Sequence, residues 1–369
     1  MTSSSTPPTT RSRSGVRKIL SAVLSYGVVA VVMWLLYRTL GSSGAVADAV
    51  SSITPTEVLV ACSLGLVYLA SMLRPMVYTL PGLTMAQAGV ARTASLALAN
   101  TVPEGGTVAT GLTFGMYRSW GFGVSDSTTS IVAIGIWTNL SRYVLMSIGL
   151  VVLAVSGTTD GSVVWFAVGS CVVVAAICLL ITLIIASDRF ARGVGRLLTR
   201  GRAVVARRIS RVEPKDMVEV VSDFRVHVSN RVRTCWRSLT ATMVLSQLLG
   251  ALVLGVAVRM CGLGQDEIGW DRIVVAFGAM WLAAFVAPTP GGLGIAEAAL
   301  IAVLGVGLAA SAQAELVAAV LLFRLATWLL PIPIGLVSYL YWRTTKNWRV
   351  PVAQLSSERQ TRSEDNGNS

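Results

Sequence analysis

Four ionisable residues stand inside or beside long apolar stretches of this sequence: Glu104, Arg142, Glu297 and Arg324. A charge near the centre of a bilayer costs roughly 2.5–3.5 kcal/mol on insertion scales, so each such residue needs a partner or a purpose. The two glutamates fall at or just after clusters of proline and glycine, and each arginine lies deep in the apolar run that follows a cluster. A guanidinium fork matches the oxygens of a phosphate group. Arg142 and Arg324 are therefore candidates to attract a lipid phosphate, with a tryptophan near each in sequence, Trp137 and Trp328. Glu104 and Glu297 would balance charge in the empty site or carry a coupling proton. The competing reading makes each glutamate–arginine pair a buried ion bridge that fixes helix packing. Breaks beside charges favour a cavity.

Other polar groups lie at similar depth: Asn100, Thr101, Thr107, Thr110 and Asn139. Asn100 is placed to cap a helix or line the site, whereas Asn139 reads as interhelical glue. Gly291, Gly292 and Gly294 lead into a helix whose first N–H groups could face an anion. Sequence patterns for ATP hydrolysis, acyl-serine chemistry, zinc hydrolysis and metal-dependent sugar transfer are absent. His227 is the only histidine, which leaves no basis for a histidine triad or zinc site. Cys62, Cys171, Cys178, Cys235 and Cys261 show no CxxC spacing and read as small buried hydrophobes. No catalytic residue, cofactor or metal is expected.

The elements that must hold these residues are membrane helices. The sequence of 369 residues is 54% hydrophobic and only 13% charged, with a mean hydropathy of +0.69. Uncharged runs such as Ile19–Tyr37, Gly161–Ser187 and Ile273–Ala296 reach the ~17–25 residues that a helix needs to cross a bilayer. Backbone without water must satisfy itself, so the fold class is all-α, a polytopic helix bundle. Six full spans are expected near 19–40, 57–78, 127–155, 162–187, 238–261 and 314–342, the first as an uncleaved anchor despite the signal-like Ala45-Val46-Ala47. Two more apolar segments, 85–120 and 271–310, are each broken in the middle. Pro103, Gly105 and Gly106 break the first; Pro288, Pro290, Gly291, Gly292 and Gly294 break the second. Both are expected to be helical hairpins with the clusters at their tips.

Charge sets the orientation. Arginine and lysine concentrate before the first span, between Arg189 and Arg237, and after Arg343, whereas Asp48, Asp160, Asp266 and Glu315 occupy alternate loops. This positive-inside pattern puts both termini in the cytoplasm of a plasma-membrane protein. The formal charge of +12 is explained by orientation and anionic lipid, without nucleic acid. The organisation expected is a basic tail (1–18), an N-terminal membrane half (19–187), a basic amphipathic loop of two surface helices (188–237), a C-terminal membrane half (238–342) and a cytoplasmic tail (343–369). The hairpins enter from opposite sides, so the halves form an inverted repeat with a site near the midplane.

Pro288-Thr-Pro290-Gly291-Gly292-Leu-Gly294-Ile-Ala-Glu297 resembles the signature of the flippase-like transmembrane domain of lysylphosphatidylglycerol synthases. Asn100-x-x-Pro103-x-Gly105-Gly106 is similar to that family's first-half motif, and Phe323-Arg324 with Trp328, Pro331 and Gly335 to its last-span pattern. The resemblance covers nearly the whole sequence between the tails. It implies movement of a phospholipid or lipid-linked sugar between leaflets. The full-length synthases add a cytoplasmic domain that transfers lysine from its tRNA. The polar stretch Gln354–Ser369 leaves no room for it, so aminoacyl transfer is not expected of this sequence.

The expected function is a lipid translocator whose partners are anionic phospholipids or polyprenyl-phosphate lipids. Two alternatives stand beside it. One is a membrane scaffold that partners a cell-envelope enzyme. The other is a polyprenyl-phosphate-dependent glycosyltransferase using Asp48 or Asp266.

Overall fold

Helices begin where the sequence supplies caps. The computed structural model describes residues 45–102, 105–155, 161–186, 217–287 and 289–345, and every regular element among them is helical. The first expected span, Pro103, Glu104, Pro288, residues 188–216 and the tails at 1–18 and 346–369 lie outside the described residues. Helix α1 (Ala45–Ser51) leads into α2 (Pro55–Ser71). At its start the Thr54 N–H donates to Glu57 Oε2 at 2.7 Å and the Glu57 N–H to Thr54 Oγ1 at 3.3 Å. That capping box satisfies two orphan donors reciprocally. After Met72 the chain continues as α3 (Leu73–Thr79), so the crossing expected at 57–78 is a two-part helix over Pro55–Thr79.

Thr84 and Gln87 repeat the box ahead of α4 (Met85–Thr101). Helix α4 folds back on α5 (Gly105–Ser119), and this is the first hairpin. Helices α6 (Val124–Val155) and α7 (Gly161–Ala186) follow. The described chain resumes at α8 (Met217–Met260), then α9 (Trp270–Val286), a 3-10 turn over Pro290–Gly292 and α10 (Ile295–Leu304). Helices α9 and α10 form the second hairpin. Last among the described elements come α11 (Ala312–Arg324), a π-helical turn over Leu325–Leu329 and α12 (Pro331–Thr344).

Pro55–Thr79, Val124–Val155, Thr234–Met260 and Ala312–Thr344 are long and apolar enough to cross a membrane. One expectation is corrected. Residues 217–237 are not a separate surface helix but the first part of α8, which runs unbroken for 44 residues. At 1.5 Å per residue such a helix is about 66 Å long, twice the ~30 Å hydrocarbon core. No proline or glycine interrupts the sequence between Met217 and Gln247, so nothing stops the helix where the apolar run begins.

The two hairpins are tied to the bundle reciprocally. The first arm of the first hairpin, α4, packs along α12, which follows the second hairpin. The first arm of the second hairpin, α9, packs along α6, which follows the first. Both contacts are made close by glycine. A Cβ on Gly335 would lie 2.1 Å from the Thr93 carbonyl oxygen, and one on Gly278 would lie 2.4 Å from Met146 Cβ. Lipid tails are as apolar as leucine, so close backbone packing of this kind, rather than transfer out of water, drives association. The main core joins α2, α8, α9, α10 and α11 through Ala61, Leu254, Phe277, Met280, Leu300, Leu316 and Phe323. Phe277 and Phe323 meet edge to face at 6.4 Å between ring centroids. Helix α7 instead exposes Trp165, Phe166, Val172 and Leu179, a face too apolar for water and suited to lipid.

Candidate functional site

The tip of the second hairpin is a turn that only its sequence permits. Gly291, Gly292 and Gly294 have φ of 57°, 71° and 81°, where an L side chain is strained. Space excludes one as well: a Cβ on Gly291 would lie 2.2 Å from Trp328 Nε1 and 3.2 Å from Asn100 Oδ1. The tip is thus pressed between the first hairpin and the π-helical turn. Thr289 Oγ1 closes it by donating to the Leu293 carbonyl at 2.9 Å.

Glu297, in the first turn of α10, accepts the Gly294 N–H at 2.6 Å and pairs through Oε1 with Arg324 Nε. Arg324 also donates through Nη2 to the Gly291 carbonyl at 3.1 Å. The side chains of Arg324 and Glu297 are 11% and 10% exposed, so this is a buried ion pair that clamps the tip to α11. Opposite it, Asn100 Nδ2 donates to the Trp328 carbonyl at 2.9 Å. Pro331 and Pro333 lack backbone donors, the helical ladder slips into a π turn ahead of them, and Asn100 supplies a donor from another helix. Such π turns occur frequently at functional sites.

The first-half arginine has a different environment. Arg142 lies with Cζ 3.6 Å from the ring centroid of Trp281, on α9 of the second hairpin. Trp137, its expected neighbour, instead donates to Thr240 Oγ1 at 3.0 Å. Arg142 has no ion pair with a described carboxylate, and its Nε is buried without an acceptor. A second guanidinium is within electrostatic reach, that of Arg92 on α4. Arg92 Nη2 touches Met72 Sδ at 2.7 Å, and its Nε is also buried without an acceptor. Tyr68 of α2 stands beside both arginines.

These groups surround one cavity of about 530 Å³. Both hairpins and the helices after them contribute, through Arg92 and Asn100, Gly105 and Thr107, Asn139 and Arg142, Trp281 and Gly291, and Arg324 and Trp328. The buried side-chain donors in its wall that lack acceptors are Tyr68 Oη, Arg92 Nε, Arg142 Nε, Trp281 Nε1 and Trp328 Nε1. Buried polar groups are normally satisfied. A wall of unsatisfied donors suits an acceptor-rich guest, and a phosphate is acceptor-only when ionised.

The structure thus brings Asn100, Gly105, Gly106, Arg142, Gly291, Gly292 and Arg324 to one cavity. Asn139 lines it too, but donates to Gly135 within its own helix rather than bridging helices. Pro290 and Gly294 shape the tip; Pro103, Glu104 and Pro288 lie outside the described residues. Asp48 and Asp266 are exposed and do not line the cavity. Arg92 and Trp281 were not anticipated. Arg92 reads in sequence as the charged end of a hairpin, yet the capping box at Thr84 and Gln87 starts the helix early enough to place it two turns inside. Arg92, Leu96, Ala99 and Asn100, which share the spacing of one helix face, all line the cavity.

Comparison with curated protein sequences finds no similar chain. The family model described as the lysylphosphatidylglycerol synthase TM region matches residues 19–335. With the match covering most of its length, the chain belongs to the lysylphosphatidylglycerol synthase TM region family, a membrane domain linked to lipid metabolism or transport.

Proposed function

We propose that this protein moves a lipid between leaflets, its headgroup passing through the cavity between the hairpins while the acyl or prenyl tails stay in the bilayer. The observation that carries this reading is the pair Arg92 and Arg142: two guanidiniums at a cavity, neither paired with a described carboxylate, each with a buried Nε lacking an acceptor. An uncompensated buried charge is costly, and an anionic headgroup supplies what both lack. Of the sequence candidates, Arg324 has the lesser claim to the headgroup, because Glu297 already neutralises it. Its role in this account is to hold the tip and Trp328 in place. The wall also has an apolar side, formed by Leu69, Met280 and Phe285, and Phe285 is 73% exposed. A lipid headgroup with its chain leaving past Phe285 fits that division.

The positive-inside charge pattern supports a plasma-membrane protein with both termini in the cytoplasm. The reciprocal packing of α4 on α12 and α9 on α6 supports an inverted repeat. In such a repeat, rocking one hairpin against the other would open the cavity alternately to each side. A differential affinity of only 1–3 kcal/mol between the two states suffices to bias the cycle. Leaflet exchange of labelled anionic lipids in proteoliposomes tests the proposal. Exchange above empty liposomes that falls at least tenfold in Arg142→Gln supports it. Wild-type protein that exchanges no anionic lipid overturns it.

A further inference from the structure

The charge balance of the cavity narrows the headgroup. Three guanidiniums reach it: Arg92 on α4, Arg142 on α6 and Arg324 on α11. Glu297 on α10 cancels the charge of Arg324, and its oxygens are already committed to Arg324 and the Gly294 N–H. The other ionisable groups beside the arginines are phenols rather than carboxylates: Tyr68 on α2, Tyr117 on α5 and Tyr143 on α6. Among the described lining residues two positive charges therefore remain uncompensated, in the same wall as the unsatisfied donors of Trp281 and Trp328.

Each class of headgroup leaves a different remainder. A zwitterionic phosphodiester brings no net charge, and its ammonium finds no free carboxylate among the described lining residues. A lysylated phosphoglycerol, with two ammonium groups against one phosphodiester, brings a net positive charge and is worse. A simple phosphodiester cancels one arginine and leaves the other buried and unpaired, the arrangement that costs most. A phosphate monoester, or the terminal phosphate of a diphosphate, brings about two negative charges and three free oxygens near neutral pH. It satisfies both arginines and accepts from the neighbouring donors.

We infer that the cavity is selective for a dianionic phosphate, a monoester or terminal diphosphate on a lipid, over phosphodiester headgroups. This rests on the translocator reading for the lipid source but not for the anion preference. The two can fail separately.

The test is ligand-induced thermal stabilisation of the purified full chain in detergent, with diacyl phosphatidic acid as the monoester probe. Phosphatidylglycerol is the phosphodiester comparison and inorganic phosphate the free anion. At about pH 8 phosphatidic acid should bind roughly tenfold or more tightly than phosphatidylglycerol, the worth of one charge-assisted hydrogen bond. The advantage should fade towards about pH 5, as the monoester takes up its second proton near pH ~6 while the arginines stay charged. Arg92→Gln and Arg142→Gln should each abolish the advantage. Arg142→Lys, which keeps the charge, should retain most of it, separating lost charge from a lost fold. Inorganic phosphate binding as tightly as phosphatidic acid, with the same arginine dependence, would uphold the dianion preference and assign the source to a free anion. Equal binding of the two lipids at about pH 8, or a preference that survives both glutamine variants, overturns the inference. Leaflet exchange of phosphatidylglycerol without monoester preference would sink it and leave the translocator standing. Monoester-selective binding without exchange of any lipid would do the reverse.

Discussion

Replacing Glu297 by glutamine removes one charge from a pair that neither water nor salt screens well, since both side chains are about nine-tenths buried. Glutamine still offers an oxygen to the Gly294 N–H, so the cap at the start of α10, worth ~1 kcal/mol, survives. What is lost is the counter-ion of Arg324. Removing one member of a buried pair costs about 3–5 kcal/mol, and the retained cap puts Glu297→Gln at the lower end. With roughly 2–4 °C per kcal/mol, the unfolding midpoint should fall by about 6–12 °C. The assay is thermal unfolding of the detergent-solubilised protein for wild type, Glu297→Gln, Arg324→Gln and the double variant. A buried pair can often be replaced at little net cost once both charges are gone. The double variant should therefore be no less stable than the worse single one, a coupling of at least about 3 kcal/mol. Losses that simply add would refute the ion-pair clamp.

Three further outcomes follow. Gly291→Ala combines a positive φ with a Cβ 2.2 Å from Trp328 Nε1; it should cost about 1–3 kcal/mol of stability, read as a lower unfolding midpoint, and lower leaflet exchange, whereas an unchanged midpoint would mean the tip is not held between Asn100 and Trp328. Trp281→Leu keeps the charge of Arg142 but removes the ring it stacks on; a loss of about 0.5–2 kcal/mol in lipid binding is expected, and unaltered binding would show that the contact does not orient Arg142. Cys261, just beyond the end of α8, has its thiol pushed up to about 11 by burial and by Glu57 and Glu315. In a variant retaining only that cysteine, maleimide labelling at about pH 8 should meet roughly two-hundredfold fewer thiolates than at an ordinary cysteine. The rate should still climb about tenfold per pH unit up to about pH 10, and a plateau near pH ~8.5 would contradict the arrangement.

Much of this architecture is legible in the sequence because proline and glycine act locally. The cluster from Pro288 to Gly294 breaks a helix wherever it stands, and the observed turn at Gly291, Gly292 and Gly294 uses the freedom those residues have. The hairpins and the helix after each were readable for the same reason. The sequence left open which charges meet. The ion-bridge alternative holds for Glu297 and Arg324, 27 residues apart, but nothing local says that it leaves Arg142 and Arg92 at the cavity without a described carboxylate. The apparent equivalence of Arg142 and Arg324 therefore misleads: one is neutralised and the other stacks on Trp281. Arg92 was hidden by a different rule, since an arginine close to the end of an apolar segment reads as a topology signal. Helical register overrides that, because eight residues beyond Thr84 is about two turns along one face. The extension of α8 back to Met217 was missed because a change from polar to apolar sequence resembles an element boundary, although a helix needs only suitable backbone to continue.

If cavity arginines without a described carboxylate receive a headgroup, Arg92 is the one to change first, because sequence resemblance alone would not select it. The measurement is leaflet exchange of a labelled anionic lipid in proteoliposomes, comparing wild type, Arg92→Gln and Arg118→Gln. Arg118 lies on the other arm of the same hairpin, bonds to the Phe122 carbonyl and does not line the cavity. Arg92→Gln should slow exchange at least tenfold with the unfolding midpoint retained, while Arg118→Gln should exchange lipid within about twofold of wild type. Equal exchange by wild type and Arg92→Gln would contradict a headgroup role for Arg92.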